Sequence, residues 1–163
     1  MKELFVIQPI QAKHNKEIAT IIRQSLEEFG ANKKGTVYFD DSTDNLFQLF
    51  NNPSKHFYLV ASLDDELVGG AGIFNTDGLP ANTCELVKMY LKKEVRGKGL
   101  GYNLISECMQ LAKQLGYTKM YLETMPELKK AVEVYEKFGF KKLNHPLGNS
   151  GHCGCDIWMI RDL

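Results

Sequence analysis

The stretch that decides the fold reads Arg96-Gly97-Lys98-Gly99-Leu100-Gly101. An apolar segment, 84–91, precedes this loop and has the character of a β-strand. After the loop, apolar residues recur at helical spacing over 100–115, and Gly116 ends the pattern. The first turn of a helix leaves backbone N–H groups without intrahelical partners, so a strand, a glycine loop and a helix in this order suit an anion. The loop therefore predicts the binding of a phosphate-bearing ligand.

Two nucleotide-binding motifs are the first alternatives for this ligand. A P-loop requires G-x-x-x-x-G-K-[ST], and no lysine here combines that spacing with a following Ser or Thr. A dinucleotide fold requires G-x-G-x-x-G, but Tyr102 stands at the third glycine position counted from Gly97. Glu123 does end the next predicted strand, 119–123, as a dinucleotide fold would also require. Without the third glycine, and with one β-α-β unit of this kind, the dinucleotide interpretation is disfavoured.

A second motif lies one helix and one strand downstream and further limits which ligand the loop could bind. The strand Glu85-Leu86-Val87-Lys88-Met89-Tyr90-Leu91 and the loop Arg96-x-x-Gly99-x-Gly101 resemble the strand and the R/Q-x-x-G-x-G/A loop of GNAT acetyltransferases. The run Ala131-Val132-Glu133-Val134-Tyr135-Glu136-Lys137-Phe138-Gly139-Phe140 is similar to the family's A-x-x-x-Y-E-K-x-G-F helix and turn. The resemblance implies one α/β domain over residues 1–163, in which helices flank a central mixed sheet and the cofactor lies in a cleft between two splayed strands.

The resemblance also implies acetyl-CoA as the co-substrate and assigns residues to it. The backbone of Met89 and Leu91 would lie along the pantetheine arm, and an amide near Tyr90 would meet the thioester carbonyl. The pyrophosphate would be held by the amides of Arg96, Gly97, Lys98, Gly99, Leu100, Gly101 and Tyr102, and the Arg96 and Lys98 side chains would add positive charge. Leu128 departs from the family pattern, in which asparagine is common at this position, and so removes one side-chain contact with the cofactor.

Acetyl transfer to an amine needs a neutral nucleophile, a stabilised oxyanion and a proton for the departing thiolate. Tyr135 matches the family's tyrosine near the thioester sulfur, which implies a general acid. A core aromatic residue with a satisfied hydroxyl is the alternative for this tyrosine. Glu85 lies where some family members place a general base, although a surface salt bridge is an equally simple role. His152 is a second candidate base, against the alternative of a solvent-facing loop histidine.

Together these residues predict an acetyl-CoA-dependent N-acetyltransferase. The acetyl group would move to a primary amine of an unidentified small molecule or protein by direct attack on the thioester. A module that binds acyl-CoA without catalysis, as a sensor or scaffold, is the alternative from another class of function. Turnover separates the two, because both predict CoA binding.

The composition limits other classes of function. Lys+Arg and Asp+Glu both number 20, so the chain has no basic field that would attract nucleic acid or an anionic membrane. Residues 1–9 hold too short an apolar run for a signal peptide, and no run of about 18 apolar residues occurs, so a cytoplasmic location is expected. Cys153 and Cys155 form a C-x-C pair without the second pair of a zinc site, so no metal is predicted. The oligomeric state is left open, a homodimer included.

The remaining pattern predicts the order of helices and strands. Apolar periodicity predicts a helix over 15–29 after a short strand at 5–8, and a shorter helix over 44–50. Thr124 and Glu127 have the spacing of a capping box for a helix that ends at Gly139. A β-hairpin and two closing strands complete the pattern, at 57–61 with 67–74 and at 140–143 with 156–160.

Overall fold

The computed structural model describes residues 4–163 and contains a seven-stranded mixed sheet in the order β1-β2-β3-β4-β5-β7-β6. The strands are β1 (Phe5–Pro9), β2 (Phe57–Leu63), β3 (Glu66–Phe74), β4 (Thr83–Leu91), β5 (Lys119–Thr124), β6 (Lys141–Leu143) and β7 (Ile157–Asp162). The helices are α1 (Asn15–Glu28), α2 (Leu46–Leu49), α3 (Leu100–Gln114) and α4 (Lys129–Lys137). Strands β4 and β5 run parallel, and the other neighbouring strands run antiparallel. The predicted mixed sheet flanked by helices is therefore confirmed. Residues 1–3, which belong to the N-terminal segment considered above, lie outside the described residues.

Two apolar clusters cover the two faces of the sheet. One contains the inward residues of α3 and α4, and the other contains those of α1 and α2. Strand β4 contributes to both, because successive side chains of a strand point to opposite faces. Leu86 belongs to the α3 cluster, whereas Val87 and Tyr90 pack on the α1 cluster. Residues of β4 can therefore reach the space on either side of the sheet.

The predicted β-hairpin is formed by β2 and β3. Its turn is Asp64-Asp65, and both residues have positive φ, at 50° and 66°. A two-residue loop with two positive φ angles matches the right-handed twist of the flanking strands. The hairpin fixes β3 beside β4, the strand that carries most of the candidate site residues.

Strands β4 and β5 separate part of the way along their length. Residues 83–85 pair with 119–121, and the two strands then diverge toward their carboxyl ends. On its other side β4 is irregular, because Gly70 pairs with Tyr90 while Gly72 pairs with Val87. The additional β4 residue forms a bulge in which Lys88 has a φ of +50°. The splayed strands predicted from the sequence are thus present.

Two local predictions were wrong. The capping box does not form, because β5 extends through Thr124 and the side chain of Glu127 pairs with Lys33. A 3-10 turn, Pro126–Leu128, precedes α4 in its place. The second helix is shorter than predicted, since Asp41–Asn45 is also 3-10. Among residues 4–163, no helix has the length and apolar character needed to cross a bilayer.

Candidate functional site

The glycine loop forms an open cradle in front of α3. Gly97 and Gly99 have φ angles of +75° and +88°, a region that favours glycine. A Cβ atom added to either residue would meet no heavy atom within 4 Å. The helix begins at Leu100, so the N–H groups of its first turn face this space. The cradle fits an anion such as a pyrophosphate.

Arg96 uses its side chain to tie the end of β4 to α1. Its Nε donates to the carbonyl oxygen of Leu91 at 3.0 Å, and a terminal nitrogen bonds Glu28 at 2.9 Å. The guanidinium also lies over the ring of Phe29, 4.9 Å from its centroid. Its charge is therefore matched by Glu28, and its side chain connects the start of the loop to β4 and α1.

The predicted cofactor residues of β4 meet the first turn of α3. A Cβ atom at Gly101 would lie 3.2 Å from the Met89 side chain and 3.5 Å from that of Leu91, so the helix approaches the strand closely. Tyr102 is 62% exposed, and its ring lies 4.6 Å from that of Phe138. The structure thus brings the loop, the end of β4 and the end of α4 to one region.

Glu85 is buried, with only 3% of its surface exposed, so the surface salt bridge considered above does not form. The Thr76 hydroxyl donates a hydrogen bond to its Oε1 at 2.6 Å. Burial raises the pKa of Glu85 to about 7, and the nearby Glu123 carboxylate adds to that rise, while the bond from Thr76 opposes it. A carboxyl group with such a pKa can both accept and release a proton at neutral pH.

Tyr135 projects from α4 toward the split between β4 and β5. It is 8% exposed, and its ring packs edge-on against Phe140. Burial raises the pKa of the Tyr135 phenol to about 12, so the hydroxyl stays protonated at neutral pH. The residue belongs to the core and also faces a cavity, so the two interpretations considered above are compatible.

A cavity of about 50 Å³, the inner cavity, contains both Glu85 and Tyr135 in its wall. Tyr135 reaches it from the α3 side of the sheet, whereas Val37, which belongs to the α1 cluster, reaches it from the other side. The inner cavity therefore crosses the sheet where β4 and β5 separate. A wider cavity of about 480 Å³ lies elsewhere, between α1 and the end of β4, and includes neither Glu85 nor Tyr135.

His152 is held inside the site and is not the solvent-facing loop residue considered above. Its side chain is 15% exposed, and its Nε2 lies 2.7 Å from an Asp40 carboxylate oxygen. This bond joins the loop after α1 to the loop before β7. The same Asp40 oxygen lies 3.8 Å from the Lys88 ammonium, whose side chain is only 6% exposed. Asp40 and Thr76 were absent from the predicted site because they lie in irregular segments outside any motif, and Lys88, although it lies in the quoted strand, was given no role.

Glu123 completes a polar network beside Glu85. It accepts hydrogen bonds from the hydroxyls of Tyr121 and Ser150. In the described part of the chain, Glu85, Glu123 and His152 are the one set whose ligand atoms could hold a metal ion, lying within 4.8 Å of one another. Each of the three already has a hydrogen-bond partner in the protein. All three also line the inner cavity, so three titratable side chains meet there.

The family model and the similar proteins that are described here are all acetyltransferases. The model of the acetyltransferase (GNAT) family matches residues 16–140. The chain is 38% identical over 159 residues to an uncharacterized N-acetyltransferase of Escherichia coli K12, covering 97% of this chain and 95% of that protein. It is 32% identical over 121 residues to an uncharacterized N-acetyltransferase of Schizosaccharomyces pombe, covering 74% and 72% of the two chains.

Solved structures show the same fold. A GNAT acetyltransferase from Staphylococcus aureus Mu50 superposes with a TM-score of 0.82 at 18% identity, covering 98% of this chain and 99% of that one. The PaiA N-acetyltransferase of Thermoplasma acidophilum, in complex with coenzyme A, gives 0.77 at 21% identity, with 98% and 99% covered. A phosphinothricin acetyltransferase from Sinorhizobium meliloti, in complex with acetyl-CoA, gives 0.75 at 22%, with 100% and 89% covered. At these identities the likeness is one of fold.

Proposed function

The chain belongs to the acetyltransferase (GNAT) family and is an acyltransferase, and from this premise we propose that it moves an acetyl group from acetyl-CoA to a primary amine of a small molecule or protein. One observation carries the proposal. Glu85 and Tyr135, which offer a proton acceptor and a proton donor, line one cavity at the split between β4 and β5. Groups with widely separated pKa values in one site suit acid–base catalysis.

Acetyl-CoA fits the features of the cradle. Gly97 and Gly99 precede the first turn of α3, and a Cβ atom added to either residue would meet open space. The amides of residues 96–102 would hold the pyrophosphate, with Met89 and Leu91 along the pantetheine arm. Coenzyme A or acetyl-CoA is bound in two of the three solved structures described above. When bound, acetyl-CoA supplies the acetyl group as an activated thioester.

The bulge in β4 supports a role for its backbone in stabilising the oxyanion. The Tyr58 hydroxyl donates to the carbonyl oxygen of Lys88 at 2.7 Å, which fixes the bulge. Beyond the bulge, the amide near Tyr90 would donate to the thioester oxygen as negative charge develops there. A donor held in place before reaction is more effective than water, since it needs no reorganisation.

Glu85 and Tyr135 account for the protons of the reaction. Glu85 would take one proton from the ammonium form of the acceptor, which frees the nitrogen to attack the acetyl carbon. As the carbon–sulfur bond breaks, Tyr135 would donate its hydroxyl proton to the sulfur, and the second proton that leaves the nitrogen would restore the Tyr135 hydroxyl. An amide and a free thiol remain, and Glu85 releases its proton to solvent. Each positioned group of this kind contributes about 100-fold or more to the rate.

Turnover tests the proposal against the alternative of a catalytically silent acyl-CoA-binding module. Purified protein would be incubated with acetyl-CoA and a panel of primary amines, and both free thiol and N-acetylated product would be quantified. We expect an amine-dependent release of thiol in equal amount to the acetylated product. Tight binding of acetyl-CoA without thiol release for any amine would favour the silent module.

A further inference from the structure

A second cavity, the outer cavity, adjoins the inner one on the α1 side of the sheet. It has a volume of about 250 Å³ and extends from Glu85 toward α2 and the end of β3. Glu85, Val87, Lys88 and His152 line both cavities. A molecule in the outer cavity would therefore place one end beside Glu85. This arrangement makes the outer cavity the candidate site for the acceptor.

One wall of the outer cavity is apolar and closely packed. Leu49, Phe50, Phe74 and Val87 form this wall. The Phe74 ring stacks on His56 at 4.6 Å and meets Phe50 edge-on at 5.6 Å. Phe74 thus packs against two other rings of the protein. A wall of this composition makes more favourable contacts with an apolar or aromatic group than with a polar chain.

The charges near Glu85 disfavour an anionic acceptor. Lys88 is the lysine of the outer cavity, and its ammonium lies 3.8 Å from Asp40. Burial lowers the pKa of Lys88, and the Asp40 and Glu85 carboxylates oppose that change. The positive charge of Lys88 is therefore already matched. A carboxylate on the acceptor would find no unmatched lysine here and would face Asp40 and Glu85.

The outer cavity also has no well-formed binding site for a second ammonium group on the acceptor. Asp77 is the remaining carboxylate in the wall of the outer cavity, and it is exposed. Water and salt screen an exposed charge, so its pull on a second cation is weak. The deep end of the cavity is therefore suited to one ammonium group, and the rest of the cavity to an uncharged body.

We propose, on the basis of the acetyl transfer proposed above, that the acceptor is a small primary amine with an apolar or aromatic body and no carboxylate beside the amine. The amine lies against Glu85, and the body lies on the wall formed by Leu49, Phe50 and Phe74. Asp40 acts as a specificity residue, because it matches the charge of Lys88.

Three probes that differ in one property each test this proposal. They are 2-phenylethylamine, phenylalanine, which adds a carboxylate to the same body, and 1,4-diaminobutane, which replaces the ring with a second amine. Binding of each to the protein saturated with CoA would be measured by calorimetry, and kcat/KM would be measured with acetyl-CoA. We expect the affinity and the kcat/KM for 2-phenylethylamine to be about 100-fold higher than those for phenylalanine. The added carboxylate of phenylalanine would lie a few ångströms from like charges, which repel strongly near a protein interior.

Substitution of Asp40 tests the charge argument separately. In Asp40→Asn the ammonium of Lys88 is no longer matched by this carboxylate, so the discrimination against phenylalanine is expected to shrink at least about tenfold. Asp41→Asn is the matched control, because Asp41 is an exposed neighbour on the same turn and should leave the ratio unchanged. An unchanged ratio in a folded Asp40→Asn protein would contradict the role of Asp40.

The outcomes also separate this inference from the proposed function. Equal or better binding of phenylalanine or of 1,4-diaminobutane would overturn the inference, whether or not acetylation occurs. Preferential binding of 2-phenylethylamine without acetylation of any amine would support the inference and contradict acetyl transfer. Preferential binding together with acetylation would support both.

Discussion

Replacing Tyr135 by phenylalanine is expected to lower kcat by about 100-fold or more while leaving the affinity for acetyl-CoA nearly unchanged. The substitution removes only the hydroxyl, and the ring keeps its edge-on contact with Phe140. Because burial raises the pKa of this phenol to about 12, the hydroxyl is protonated at neutral pH and can donate to the departing sulfur. Steady-state rates of thiol release and calorimetric binding of CoA would measure the two quantities.

Tyr117→Phe provides the control for this experiment. The Tyr117 hydroxyl donates to the carbonyl oxygen of Lys55, at a distance of 2.6 Å, and the residue is absent from the inner cavity. Loss of the Tyr117 hydroxyl should leave kcat within about twofold of the wild-type value, since the substitution removes one partly exposed hydrogen bond. A Tyr135→Phe protein that turns over as fast as Tyr117→Phe would assign Tyr135 to the core alone.

Replacing Gly99 by tryptophan is expected to weaken CoA binding by about 100-fold or more. The side chain would enter the open space before α3 and displace a pyrophosphate from the amides of the first turn. Each lost charge-assisted hydrogen bond accounts for roughly tenfold in affinity. Calorimetric titration with CoA would measure the effect on the wild-type and variant proteins.

Gly116→Trp separates this effect from backbone strain. Gly116 lies at the other end of α3, has a φ of +91° and likewise has no heavy atom within 4 Å of an added Cβ. Both substitutions place tryptophan in the left-handed region and in open space, so their cost to folding should be similar. If Gly99→Trp bound CoA as well as Gly116→Trp, the assignment of the cradle would be wrong.

Much of the fold could be predicted because strong local patterns specify it. The loop at 96–101 lies between a strand and a periodic helix, and α3 begins at Leu100 as predicted. Two continuous apolar runs on either side of a polar turn likewise predicted the β2–β3 hairpin. Predictions from local sequence failed where a side chain has a distant partner. Glu127, for example, pairs with Lys33, and the predicted capping box does not form.

The site was predicted less completely than the fold. Glu85 and Tyr135 were predicted because they lie in motifs, and both line the inner cavity, although their roles stay predictions. Thr76, which bonds Glu85, and Asp40, which contacts Lys88 and His152, come from irregular segments without periodicity. Their proximity depends on how the loops pack over the sheet, and sequence spacing carries little information about such contacts between distant segments.

The dependence of kcat/KM on pH tests the roles of Glu85 and the inner cavity most directly. If ionised Glu85 takes the proton of the bound amine, the wild-type value should rise with pH and level off above the pKa of Glu85, about 7. Glu85→Gln would have to capture neutral amine from solution, so its kcat/KM should be about 100-fold lower near neutrality and rise about tenfold per pH unit toward an amine pKa of about 10. Thr76→Val is the companion variant. Loss of its hydrogen bond to Glu85 should raise the pKa of Glu85, so the midpoint of the rise in kcat/KM should lie at higher pH than in the wild type.

A Glu85→Gln profile that still levels off near pH 7, at the wild-type rate, would contradict the assignment of Glu85 as the general base.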